Sequence, residues 1–320
     1  MKVELTVNDF LQRAELVYPD RTAIVDEPDQ PAESWGTIDY SEVARRAKAM
    51  AAGLDELGIA VGERVAMVSH NSARLLTALL GVSGSGRVLV PINFRLVAAE
   101  VSYIVEHSGA RILLVDPELA DALADVECER KMVIGAQSDA VMMKFDTEPV
   151  PWEPDEDATA TINYTSGTTA RPKGVQLTHR NVWVNATTFG WHMNVSDRDV
   201  YLHTLPMFHC NGWCFPWTLA AVAGTSVCLR EVRADAIFDA LNNQGVSHLC
   251  GAPFVLDLLA RGVADGRQLP TDRQIKIMTA AAPPTAATLT AVENAGFLIT
   301  HVYGLTEIYG PAVVCSWKAE

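Results

Sequence analysis

The sequence predicts an α/β protein made of two doubly wound, mainly parallel sheets with flanking helices. Three observations carry that expectation. The 320 residues exceed the roughly 100–200 of a single domain, which points to two packed units. Apolar residues make up 49% and charged residues 20%, enough for a large core and too apolar for disorder. Short apolar runs without polar alternation recur between helical patterns, as strands covered on both faces require.

In chain order, Ser41 can cap a helix carrying Val43, Ala47, Met50, Leu54 and Leu57 on one face, ended by Gly58. Residues 63–69 read as a strand, 71–80 as a helix, 88–92 as a strand, 98–107 as a helix and 111–115 as a strand. Such a β-α-β-α-β succession with short connections demands right-handed parallel crossovers. Residues 146–157 hold six acidic residues and three prolines, and must run over the surface. A strand at 158–164 and a helical stretch from Asn181 follow. Further strands are expected at 200–205, 226–229, 248–251, 275–280 and 298–303. The first α/β unit is placed mainly at about 60–195 and the second at about 15–60 plus 200–315.

Thirty-nine acidic against 25 basic side chains give a net charge of −14, which opposes nucleic-acid binding but not a nucleotide ligand held by local donors. The six cysteines form no C-x-x-C pair, so reduced thiols are expected. Lys2, Glu4, Asp9, Arg13 and Glu15 leave no apolar leader, and the protein is expected in the cytoplasm. The longest apolar stretch, 213–229, is broken by Pro216, Gly224, Thr225 and Ser226, and reads as helix plus strand rather than a membrane span.

The most informative segment is Tyr164-Thr165-Ser166-Gly167-Thr168-Thr169-Ala170-Arg171-Pro172-Lys173-Gly174. Four hydroxyls and the unhindered backbone around Gly167 make a nest for anionic oxygens, and Lys173 adds the compensating charge. It is not a Walker loop, because Pro172 precedes the lysine and Gly174 follows it. The string resembles the signature loop of the adenylate-forming superfamily, which includes acyl-CoA synthetases, luciferases and peptide-synthetase adenylation domains; Ala170 stands where that family usually has glycine.

Downstream, Tyr303-Gly304-Leu305-Thr306-Glu307 resembles the family's Tyr-Gly-x-Thr-Glu motif. The resemblance implies that Tyr303 packs on adenine, Gly304 lies beside nucleotide and acid, Thr306 contacts the α-phosphate, and Glu307 with Thr168 serves magnesium. Thr279-Ala280-Ala281-Ala282-Pro283-Pro284 resembles the family's Gly-Gly-Ala-Pro loop, which would set Ala281, Ala282 and Pro283 beside the nucleotide; a plain helix-entry turn stays open. In Pro206-Met207-Phe208-His209-Cys210-Asn211-Gly212-Trp213 one tight His/Cys cluster without a second pair does not make a zinc site. The segment resembles the family's Pro-x-Phe-His stretch, implying that His209 orients the carboxylate and that Trp213 contacts the acid; a structural histidine remains the alternative. Met207, Phe208, Trp213, Phe215 and Trp217 can line an acyl tunnel or simply fill core.

Taken together, the resemblance implies an ATP-dependent ligase that joins a medium- or long-chain fatty acid to CoA through an acyl-adenylate, with ATP, magnesium and CoA. A non-catalytic nucleotide- or acyl-binding module, and an acyl-AMP ligase serving a carrier protein, stay open beside it. The chain is expected to be an incomplete large domain over 1–320, of the acyl-CoA synthetase type, without the small carboxyl-terminal domain. Impaired catalysis and self-association through an exposed edge are expected to follow.

Overall fold

The computed structural model describes residues 2–165 and 171–315. Among the described residues fourteen strands form two sheets. The strands are β1 (Thr22–Val25), β2 (Thr37–Asp39), β3 (Arg64–Val68), β4 (Val88–Ile92), β5 (Ala110–Val115), β6 (Arg130–Val133) and β7 (Thr159–Thr165) in the amino-terminal half. They continue as β8 (Lys173–Thr178), β9 (Val200–His203), β10 (Thr225–Cys228), β11 (His248–Gly251), β12 (Ile275–Thr279), β13 (Phe297–Leu305) and β14 (Gly310–Val314). One sheet has six strands in the order β6-β5-β3-β4-β7-β8; the other has eight, β14-β13-β12-β11-β9-β10-β1-β2.

Central pairs are parallel, while β7–β8, β1–β2 and β13–β14 are antiparallel edge pairs. The two middle strands of the six-stranded sheet are almost wholly apolar: β4 is buried at all its positions and β3 at all but Arg64. That is the pattern of strands covered on both faces. The helix Ala98–Ser108 packs Val101, Ile104 and Val105 against Val68, Val90, Leu113 and Val115. Beneath the eight-stranded sheet, Ile237, Phe238 and Leu241 meet Leu256, Leu259, Ile277 and Val292. Among the described residues no helix is long and apolar enough to cross a membrane.

Several local devices differ from the sequence expectation. The helix Tyr40–Glu56 is capped by Asp39, not Ser41: the Asp39 carboxylate accepts from Glu42 N at 2.8 Å, and Ser41 itself donates to that carboxylate. The helix expected over 71–80 starts at Ala73 behind the Ser72 cap and passes into a π-helical turn, Leu79–Ser83. Strands β1, β2, β6, β8 and β14 were not expected from the sequence; each lies at or next to a sheet edge and carries an apolar run of at most three residues.

The sheets are tied together by buried polar groups. Asp116, at the end of β5, is 1% exposed and forms a bidentate pair with Arg230 beyond β10, at 3.0 and 3.1 Å. Asp26, after β1, accepts from Ala73 N at 2.9 Å and so holds the start of the next helix. The six-stranded sheet thereby gains a fixed position beside the carboxyl ends of β9, β12 and β13.

Candidate active site

A cavity of about 880 Å³ opens where the carboxyl ends of strands from both sheets meet. Its walls include Pro91 in β4 and Asn93 just after it, Thr165 ending β7, Lys173 opening β8, Phe208 and His209 after β9, Ala280 and Ala281 after β12, and Gly304 to Glu307 around the end of β13. Ligands of open α/β sheets bind in such a crevice beyond the strand ends, because helix N-termini and loops converge there.

The β7–β8 wall is an antiparallel ladder whose register shifts between Thr159 and Thr161 and then runs evenly to the cavity, where Tyr164 pairs with Gly174 and Thr165 with Lys173. Ser166, Gly167, Thr168 and Thr169 lie outside the described residues. The β13 wall turns through a short 3₁₀ segment, Thr306–Ile308. Thr306 is 7% exposed, and its hydroxyl lies 3.2 Å from Cys210 Sγ. Asn185, on the helix His179–His192, donates to the carbonyls of Ile308 and Tyr309 at 3.3 and 2.9 Å and fixes this turn from below. Gly304 is obligatory, since a Cβ there would strike the Gly310 carbonyl of the paired strand.

The wall carrying His209 is unlike either. Cys210, Asn211, Gly212, Trp213 and Cys214 have φ of 42, 43, 57, 52 and 69°, a left-handed turn that costs roughly 1–2 kcal/mol for each non-glycine residue. Side chains from the six-stranded sheet and its loops hold it. Asn71 donates to the carbonyls of His203 and Leu205 at 2.8 and 2.9 Å and accepts from Met207 N at 2.8 Å. Asn163 donates to the Phe208 carbonyl at 2.9 Å, fixing the peptide that precedes His209. Thr161 Oγ1 stands 3.1 Å from Asn163 Oδ1 and 3.0 Å from Asn211 Oδ1, with one hydrogen to give. Asn211 Nδ2 is buried without a partner, so turning that amide over lets it donate to Thr161 while Thr161 donates to Asn163.

His209 lines the cavity with its surface open to it, while the protein crowded around the ring lowers its pKa by desolvation. The imidazole is therefore neutral at pH 7. Burial raises the pKa of Cys210, which stays a thiol.

Of the residues singled out from the sequence, Thr165, Lys173, His209, Trp213, Ala281, Gly304, Thr306 and Glu307 share this cavity. Ala282, Pro283 and Tyr303 do not line it; Tyr303 is 60% exposed on β13. Ala281 has φ of +81°, a conformation glycine adopts freely and alanine does not. Asn71, Asn163, Asn211, Cys210 and Glu100 escaped sequence reasoning. Their roles depend on long-range contacts, and only Gly212 in the left-handed turn carried a local signal.

Two ligand types can be tested against these walls. Lys173 and the Thr306 hydroxyl offer a cation and a donor to anionic oxygens, and Phe208, Trp213 and Pro311 offer apolar surface, a donor set that fits an acylated nucleotide. Among the described residues no three His, Cys, Asp or Glu side chains could hold a metal by themselves. Glu307 and Glu100 face the cavity, which fits a magnesium ion shared with ligand phosphates, since such ions need only one or two protein carboxylates.

A two-sheet α/β protein with an anion-ready, half-apolar cleft at the strand ends is the class this fold and site define. The sequence profile of the AMP-binding enzyme family matches residues 11–320, and the chain belongs to that family. It is 34% identical over 343 aligned residues to the peroxisomal acetate/butyrate–CoA ligase AAE7 of Arabidopsis thaliana, with 97% of this chain and 59% of that protein covered. The chain thus spans about 59% of the length of that relative. The N-terminal domain of FACL13 from Mycobacterium tuberculosis superposes with a TM-score of 0.85 at 27% identity, covering 98% of this chain and 79% of the other. The o-succinylbenzoate CoA synthetase of Bacillus subtilis, solved with ATP and a magnesium ion, has the same fold: TM-score 0.80, 23% identity, 96% of this chain and 62% of that one.

Proposed function

We propose that the cavity activates a carboxylic acid with ATP, as an acyl-adenylate, in the service of a carboxylic acid–CoA ligase. The observation that carries this reading is the convergence of Lys173, His209, Thr306 and Glu307 on one cleft. In it Lys173 neutralises phosphate charge, the Thr306 hydroxyl donates to a phosphate oxygen, and neutral His209 hydrogen-bonds the acid's carboxylate. Magnesium, held by Glu307 together with Thr168, would neutralise the pyrophosphate leaving group. Phe208 and Trp213 keep water from the acyl end. The loop after β12 flanks the base through Ala281, with Ala282 and Pro283 completing it, and Tyr303 reaches adenine if its exposed ring turns inward. Thr165, Ser166, Gly167 and Thr169 supply the remaining phosphate donors.

The acid proposed is an aliphatic one. The sequence alone pointed to medium or long chains; the name of the Arabidopsis relative supports the short end, acetate or butyrate. Chain length is decided by a hydrophobic pocket at only about 1–3 kcal/mol per methylene, so a range of acids is expected to react. In domain terms the reading makes 1–320 an AMP-binding large domain, with its two α/β units joined by the residues near 60 and 200.

The test is acid-dependent exchange of labelled pyrophosphate into ATP by this chain, with acetate, butyrate, octanoate and palmitate in turn. Exchange that needs both an acid and Lys173 supports the reading. ATP binding without exchange for any acid, even after the carboxyl-terminal domain of a relative is added in trans, replaces it with a nucleotide- or acyl-binding module. Thioester formed on added CoA distinguishes a CoA ligase from an acyl-AMP ligase that serves a carrier protein.

A further inference from the structure

Lys173 opens β8 at the cavity, and the neighbouring hydrogen bonds come from an unexpected element, the helix Ala98–Ser108. Tyr103 on that helix donates its phenol to the Pro172 carbonyl at 3.2 Å, on the residue just before the lysine. One turn later, His107 Nδ1 lies 2.8 Å from the phenol of Tyr164 on the paired strand. The two helix residues stack, with ring centroids 5.2 Å apart, and the Arg171 guanidinium lies 5.6 Å from the Tyr103 ring centroid. Both strands of the hairpin are therefore gripped at the level of Lys173, by adjacent turns of one helix.

The hairpin fits this grip from its own side. Tyr164 is paired with Gly174, and a Cβ on that glycine would come within 3.1 Å of the Tyr164 ring. The ring thus lies over the glycine, and a side chain at 174 would crowd both the phenol and Ile162. Burial and the nearby Tyr103 push the Tyr164 pKa up to about 12. The phenol keeps its proton, and with the imidazole hydrogen on Nε2 it donates to His107 Nδ1.

We infer that Tyr103, His107 and Tyr164 are positioning residues for Lys173, a latch that sets where the cavity's cation stands. None of the three needs to touch the nucleotide phosphates; they act by fixing the backbone on either side of the lysine. The inference rests on the proposed nucleotide site, and deepens it by assigning the nucleotide end of the cavity its own support, separate from the Asn71 and Asn163 anchors of His209.

The experiment measures two quantities in the full chain. Calorimetric titration gives ATP affinity for wild type, Tyr164→Phe, His107→Ala, the double variant and Tyr103→Phe; limited trypsin digestion gives the cleavage rate between Lys173 and Gly174, Arg171 being protected by Pro172. Tyr164→Phe and His107→Ala should each weaken ATP binding about fivefold and speed cleavage after Lys173, and the double variant should do no more than either. Tyr103→Phe should add a further loss of about the same size. Affinity for a fatty acid measured alone should stay unchanged, which global destabilisation would not allow. Unchanged ATP affinity and cleavage in the single variants, or strictly additive losses in the double, overturn the latch. If wild type binds no ATP, the nucleotide reading has failed, and the cleavage rates alone then decide the latch.

Discussion

The β7–β8 hairpin and the 205–214 segment line the same cavity but keep their shapes by different means. The hairpin is a hydrogen-bonded ladder whose backbone conformation suits its residues, and helix side chains merely pin it. The 205–214 segment is backbone forced into a left-handed turn, and it survives because Asn71, Thr161 and Asn163 reach across from the other sheet. The difference teaches where the site is robust and where it is fragile. A ladder tolerates loss of one contact, whereas a strained turn falls back to ordinary φ values once an anchor is removed.

A buried histidine stands behind each wall, and acid should expose both. Burial lowers His179, after β8, to about 4, and His203, at the end of β9, to about 3. Both are neutral when folded and titrate near 6.5 when unfolded, so the stability they contribute is intact above that pH and lost as pH falls below it. By pH 5 each should cost about 2 kcal/mol, together about 4 kcal/mol. Urea unfolding midpoints at pH 7.5 and 5 measure the sum. Replacing His203 by Phe should remove its share, and a midpoint insensitive to pH would refute the assignment.

Asn71→Ala comes next. It leaves the Met207 amide and the carbonyls of His203 and Leu205 without that partner, at an expected cost of about 3 kcal/mol. Acid binding should suffer more than ATP binding, because the change falls on the His209 wall. Equal losses for both ligands would erase the distinction between the walls.

These consequences also show what the sequence could and could not reveal. Central strands such as β3 and β4 were legible because a strand covered on both faces is apolar at nearly every position. That Lys173 and Glu307 line one cavity was legible because the two motifs that carry them resemble segments of a single family. The edge strands were not, since half their surface faces solvent and their composition carries little period-2 signal. Nor was the left-handed turn: four of its five residues are not glycine, and the asparagines that stabilise it lie far away in the sequence. Tyr303 shows a different gap, because a motif names a residue without fixing which way its side chain points; here the ring is largely exposed.

The smallest expected effect sharpens the comparison at one strained residue outside the turn. Ala281→Gly relieves an alanine at φ of +81° on the cavity rim and should stabilise the protein by about 1 kcal/mol. Thermal unfolding would register it as an upward shift in Tm, whereas a downward shift would mean that the Ala281 methyl packs favourably enough to outweigh the strain.

The central claim is that one cleft gathers Lys173, Thr306 and Glu307 to hold a nucleotide with its cation. Calorimetric titration of the chain with ATP, with and without magnesium, tests it most directly. Saturable binding at one site is expected, weakened about tenfold or more by Lys173→Ala at any magnesium level, and weakened by Glu307→Gln only when magnesium is present. Absence of binding, or binding indifferent to both substitutions, would contradict it.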